Sequence, residues 1–311
     1  MSRLPTNLLE GIDISMSKYN VNDAWPIDEP IDADDCLKKL VKLSNDVKKL
    51  ECHGASKLVH EGESSIRSKF DIRFFKDNNK NKHPKVVEKY LLKSFIQNAK
   101  RHLPPEAQQF IDVAHLKWDT LYNTGTVFIG RHYRLPTRCV DWTRNPLIAL
   151  FFACSNWQDI DKSGVVWWMY YDDFSDAIAK QWEKFYGKKE KIENDFENDF
   201  TEGIDRDILT RFHYKCLLDR PIKQNAHIIL YGNYNIQHDK KIYDLLNLKN
   251  EIKTKESLHW GRIVIHPNMK FDLLEKLNLL GINKITLGIE DTYIDKIASE
   301  VADDILCQGE K

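Results

Sequence analysis

Residues 131–154 read RHYRLPTRCVDWTRNPLIALFFAC, and this stretch decides the fold. Asn145-Pro146 marks a helix start: Asn caps the first turn, and Pro at the first helical position sacrifices no hydrogen bond. The residues that follow, Leu147 to Ala153, are apolar on every side, which predicts a helix buried all round. Its N-terminus then lies inside the domain, where free N–H groups and the positive end of the dipole face the residues just ahead. Those residues are polar: Arg131, His132, Arg134, Thr137, Arg138, Asp141, Thr143 and Arg144. Buried without partners they would cost several kcal/mol. They therefore either satisfy one another, with Asp141 pairing Arg138 or Arg144, or line a hollow for an anion. Arginines beside a helix N-terminus suit a phosphate or pyrophosphate. On the second reading Asp141 and His132 are candidate catalytic residues, and Arg131, Arg138, Thr143 and Asn145 are candidate ligand-binding residues.

Outward from this segment the chain alternates helical and β-prone runs. Leu37, Leu40, Val41, Leu43 and Val47 predict a helix over 34–50, capped by Asp34 or Asp35. KLVHEGE (57–63) reads as a short strand entering a glycine turn, and KDNNKNKH (76–83) as a solvated loop. A helix over 85–102 places Val86, Tyr90, Leu91, Phe95 and Ala99 on one side and stops at Pro104-Pro105. Another is expected over 106–123. Strands are predicted at 138–143, 164–171 (GVVWWMYY), 226–231 (AHIILY), 262–266 (RIVIH) and 284–287 (KITL). Helices are predicted at 269–279 and at 292–306, where Ile294, Ile297, Val301 and Ile305 make a stripe. The expected fold is α+β: a central mixed or antiparallel sheet flanked by helices in one large domain. Its boundaries are an irregular lead-in over 1–33, the domain over 34–306 with a charged excursion at 186–207, and a tail over 307–311.

Composition narrows the function. Lys plus Arg total 46 and Asp plus Glu 47, so the net charge of −1 carries no global nucleic-acid footprint. Hydrophobic residues at 42% suit a globular core. No uncharged apolar run reaches the ~18 residues of a membrane span, and MSRLPTNLLEGIDIS lacks the apolar centre of a signal peptide. The six cysteines are scattered, which fits reduced thiols in a cytoplasmic protein and no metal site. Nucleotide-binding glycine motifs, H-E-x-x-H and G-x-S-x-G are absent. Trp167-Trp168 with Tyr170-Tyr171 is read as core in preference to a base-stacking platform, and Glu61 with Glu63 as a solvated turn in preference to an acid–base pair.

The central segment resembles the signature of the FRG domain family, Q-H-Y-G-L-P-T-R-L-L-D-W-T-x-N-P-L-x-A-L-x-F-A. Here it stands as His132-Tyr133, Leu135-Pro136-Thr137-Arg138, Asp141-Trp142-Thr143, Asn145-Pro146-Leu147, Ala149-Leu150 and Phe152-Ala153, without gaps. The family's glutamine and glycine are Arg131 and Arg134 in this chain. The helix EKYLLKSFIQNAKRHL ahead and the strand GVVWWMYY behind fall where the family has them, and the resemblance spans roughly residues 35–300. The Phe-Arg-Gly turn that names the family corresponds to Val59-His60-Glu61-Gly62, and a later Arg–x–x–x–Gln pattern to Arg220 through Gln224. The strand order is also similar, more weakly, to an ADP-ribosyltransferase-like core. That similarity implies NAD as a substrate: His60 against its ribose or amide, Thr143 at the pocket wall, and Gln224, with Glu290 behind it, orienting the ribose. Gln224 thus joins Asp141 and His132 as a candidate catalytic residue, and His60 joins the ligand-binding set. Three functions follow. One is an NAD-consuming effector of a bacterial defence or toxin system. Another is a non-catalytic module that senses a nucleotide or other phosphorylated small molecule. The third is a protein-interaction component whose polar cluster is structural.

Overall fold

A computed structural model describes residues 24–46, 49–58, 66, 73–74, 83–112, 124–187, 207–212, 218–232, 238–247, 259–289 and 292–306. Four strands form where the β-prone runs predict them: β3 (Cys139–Thr143), β4 (Gly164–Tyr170), β6 (Ala226–Tyr231) and β7 (Trp260–Ile265). Three more carry little sequence signal: β1 (Ile27–Asp28), β2 (Leu50–Ala55) and β5 (Leu209–Phe212). Together they make one open, mixed sheet in the order β1-β7-β4-β2-β3-β6-β5. Among the described strands only the β1–β7 pair is parallel. The fold is α+β, as expected.

The first helix, α1 (Ala33–Asp46), ends before Leu50, and Leu50 instead opens β2. Its cap is Asp32, not Asp34 or Asp35. Asp32 Oδ1 accepts the Asp35 N–H at 2.8 Å while Asp35 Oδ2 accepts the Ile31 N–H at 3.1 Å, a reciprocal box. Lys57 and Leu58 are not in a strand, and the rest of the expected 57–63 strand lies outside the described residues. In α2 (Pro84–Ala99) the buried face is Val87, Leu91, Leu92, Phe95 and Ile96, whereas Val86 and Tyr90 are exposed. The helix expected over 106–123 is α3 (Pro105–Asp112) as far as it is described. A separate helix, α4 (Thr124–His132), then carries Arg131 and His132. The predicted buried helix is α5 (Pro146–Cys154). Helices α6 (Tyr171–Tyr186), α7 (Asp219–Lys223) and α8 (His238–Asn247) were not expected; α9 (Pro267–Leu279) and α10 (Tyr293–Leu306) were.

The KITL segment is turn, not strand. Asn283 and Thr286 exchange side-chain-to-backbone bonds at 3.0 Å each, and Thr286 Oγ1 donates to the Gly281 carbonyl at 2.7 Å. Such local bonds satisfy the backbone in place of a ladder.

Strand alternation sends side chains to two faces. On one face α1, α5 and α9 cover β2, β4 and β7, while α2, α4 and α10 cover β3 and β6. On the other face α6 and α8 bury Val140, Trp142, Trp167 and Ile229. Trp167 is fully buried and Trp168 nearly so, so both belong to the core. Trp25, in the expected irregular lead-in, is also fully buried.

Candidate functional site

Helix α4 stops in a Schellman motif. Leu135 N–H donates to the Gly130 carbonyl at 2.9 Å and Arg134 N–H to the Arg131 carbonyl at 3.0 Å. The motif needs a left-handed residue, usually glycine, at the position held here by Arg134, whose φ is +67°. This stop turns the chain towards β3 and sets Arg131 and His132 on the last turn of α4. The two helix groups of that face meet here, over β3 and β6, and leave a hollow of about 110 Å³. Arg131, His132, Arg134, Asp141, Arg220 and Gln224 give it a polar wall, and Phe128, Phe152 and Ile228 an apolar one.

Asp141, His132, Gln224 and Arg131, nominated from sequence, therefore share one cavity. Asp141 pairs with Arg131, not with Arg138 or Arg144. Its side chain keeps 48% exposure, while that of Arg131 keeps 9%. The Arg131 Nε and Nη1 atoms are buried and have no hydrogen-bond partner. His132 is held neutral at physiological pH: burial, and then the Arg220 charge, depress its pKa to about 4. Arg220 is a strut. It pairs with both Asp295 oxygens at 3.0 and 3.1 Å and donates to the Gly288 and His132 carbonyls at 2.8 and 2.7 Å. Burial works to raise the Asp295 carboxyl, but its bonds from Arg220 and Thr292 outweigh that and lower its pKa. Gln224 Nε2 donates to the Leu287 carbonyl at 3.0 Å.

The remaining nominees sit elsewhere. Arg138 does not face the hollow: it is buried against Glu88 at 3.1 Å and donates to the Tyr231 and Gly232 carbonyls. Thr143 Oγ1 donates to the Gln224 carbonyl at 2.7 Å and accepts the Asn145 N–H at 3.1 Å. Asn145 Oδ1 caps α5 by accepting the Leu147 N–H at 3.0 Å. The start of α5 is thus satisfied from within the chain, and its residues do not line the hollow, contrary to the expectation of an anion at that helix end. His60, Glu61, Glu63 and Glu290 lie outside the described residues. In the sequence Arg220 stands out only as part of the Arg–x–x–x–Gln pattern, and nothing local in Phe128 or Phe152 marks them as cavity walls. Among the described residues no group of three or more His, Cys, Asp or Glu is arranged to hold a metal, and no helix is long and apolar enough to cross a membrane.

The family model of the FRG domain matches residues 56–162, a span that contains Arg131, His132, Arg134 and Asp141. The chain thus carries an FRG domain. No curated protein and no solved structure matches it.

Proposed function

We propose that this FRG-domain chain binds a phosphorylated, hydroxyl-bearing small molecule, a nucleotide in the first instance, in the hollow between α4, β3 and α7. Arg131 carries the reading: it is nine-tenths buried with two unpartnered nitrogens. A buried donor left unsatisfied costs about 1–3 kcal/mol, more on a charged group, and a phosphate oxygen removes that cost. Arg134 supplies a second guanidinium from a strained backbone position, the kind of outlier that clusters at ligand sites. Asp141, half open to the hollow, has lone pairs for hydroxyls such as a ribose presents. A volume of about 110 Å³ suits a phosphate and part of a sugar. It is well below the ~300 Å³ of sites that enclose a whole drug-sized ligand, so a nucleotide's base extends beyond the described walls.

One pairing favours a second reading, NAD turnover by hydrolysis or ADP-ribosyl transfer. The Asp141 carboxylate and the neutral His132 imidazole share the cavity, and acid–base work uses groups of that kind. In this reading Gln224 orients the ribose.

Calorimetric titration of the full chain with ADP tests the first reading. Saturable binding is expected, weakened at least ~10-fold in Arg131→Gln. A wild type that does not bind, or a variant that binds equally well, removes it. Incubation with NAD tests the second: nicotinamide release is expected, and its loss in Asp141→Ala. Binding without release leaves a non-catalytic nucleotide module.

A further inference from the structure

On the opposite face of the sheet a second cationic cluster surrounds one buried carboxylate. Glu51, on β2, is fully buried. Its Oε1 accepts Arg211 Nη2 at 3.0 Å and lies 3.5 Å from Arg144 Nε, and its Oε2 touches His227 Nε2. Both guanidiniums sit against the ring of Tyr171, at 4.6 Å for Arg211 and 5.5 Å for Arg144, with Lys49 Nζ at 5.3 Å. The four residues around Glu51 come from separate places in the chain: Arg211 on β5, Arg144 just past β3, His227 on β6 and Tyr171 at the start of α6.

The charges do not cancel. Burial holds His227 neutral by lowering its pKa. Two arginines and Lys49 then face Glu51 and Asp172, with Lys49 and Asp172 paired at 3.5 Å in solvent. One positive charge is left over, and it falls on Arg144. The side chain of Arg144 is 38% exposed while that of Arg211 is 11% exposed. The 3.5 Å contact to Glu51 is too long for a good hydrogen bond. The Nε atoms of both arginines are buried without a hydrogen-bond partner. A purely structural clamp would use these donors; here the clamp fixes the arginines and leaves Arg144 with a free outer edge.

We propose that Arg144 and Arg211, held against Tyr171 by Glu51, form a second anion site that takes the phosphoryl group of a small molecule. A planar guanidinium presents parallel N–H donors matched to phosphate oxygens. Glu51 is a positioning residue: it cancels one guanidinium charge and orients both forks. Of the cluster, only Arg144 lies within the FRG match, so the remainder belongs to the surrounding chain.

Arginine modification by phenylglyoxal, mapped by peptide mass spectrometry on the wild-type chain, tests the site directly. Inorganic phosphate at millimolar concentration is expected to slow modification of Arg144 by ~10-fold, the scale of one charge-assisted bond. Parallel protection by ADP at lower concentration identifies a nucleotide phosphoryl as the source; protection by phosphate alone identifies the free ion. No protection of Arg144 by either overturns the proposal. Arg144→Gln gives a second readout. It should remove one phosphate-binding event while ADP still binds at the Arg131 hollow, and Arg131→Gln should do the reverse. Unchanged phosphate stoichiometry in a folded Arg144→Gln chain also overturns it. Failure of the Arg131 reading alone would leave Arg144 protection intact.

Discussion

Arg134 holds the clearest conflict between local preference and position. A left-handed conformation costs a non-glycine residue roughly 1–2 kcal/mol, and glycine, which the FRG signature carries here, pays little for it. Arg134→Gly removes that cost but loosens the unfolded chain, which offsets about 0.4–1 kcal/mol. The Arg134–Asp295 contact it loses is long, 3.7 Å, and partly exposed. The net expectation is a gain of up to about 1 kcal/mol in denaturant stability together with weaker ADP binding. A variant that loses stability would contradict the strain at this position, and one that binds ADP as well as the parent would contradict a ligand role for the arginine. Arg138 shows the opposite case. Its position in the motif made it a pocket candidate, yet a buried Glu88, fifty residues earlier, claims it. Motif spacing identifies a polar residue near a buried helix; it does not reveal which distant carboxylate reaches it.

At the scale of elements, α5 and two glycines explain each other. A Cβ on Gly54 would fall 1.9 Å from the Ala149 carbonyl oxygen, and one on Gly164 would fall 2.3 Å from the Ala153 carbonyl oxygen. The helix backbone therefore rests directly on β2 and β4, and its side chains are buried on almost every side. This is the physical meaning of a helix without a polar stripe. Gly54→Ala must push α5 off the sheet, because the clash is with backbone and no rotamer relieves it. Its cost should be about 3 kcal/mol or more, seen as a lower guanidinium midpoint; an unmoved midpoint would show that α5 does not lie this close. Elements with a strong one-dimensional signature, such as α5, β4 and β6, were legible. Short edge strands such as β1 and β5 were not, because pairing partners stabilise them more than composition does.

Across the whole molecule, buried and half-buried histidines held neutral shape the response to acid. Burial depresses the pKa of His53 and His227, and takes His132 to about 4 and His238 to about 3. In the unfolded chain each returns to an ordinary value near ~6.5. The unfolded state therefore binds more protons as pH falls, and stability is lost. The contribution is complete above about pH 6.5 and is lost as pH falls below it; for His132 and His238 the loss approaches about 1.4 kcal/mol per pH unit each. For His132 the decline continues until its folded pKa of about 4. Denaturant midpoints should fall steadily between pH 7 and pH 4.5. A flat profile would mean that these imidazoles are not held neutral in the fold. Below that window Asp295, whose pKa is lowered in the fold, acts in the same direction.

The amino-acid order alone established the FRG resemblance, the buried helix after Asn145 and the main sheet strands, and it nominated Arg131, His132, Asp141 and Gln224, which line one cavity. The helix and strands follow from capping and local periodicity, Arg131, His132 and Asp141 from the motif, and Gln224 from the weaker ADP-ribosyltransferase-like similarity. Which arginines face open space was decided by tertiary packing: Glu88 and Glu51 claim Arg138 and Arg211, Asp295 claims Arg220, and Arg131 keeps unpartnered donors beside a cavity. Ion pairing depends on separation in space, and these partners are brought together only when helices and strands far apart in the chain close over one sheet.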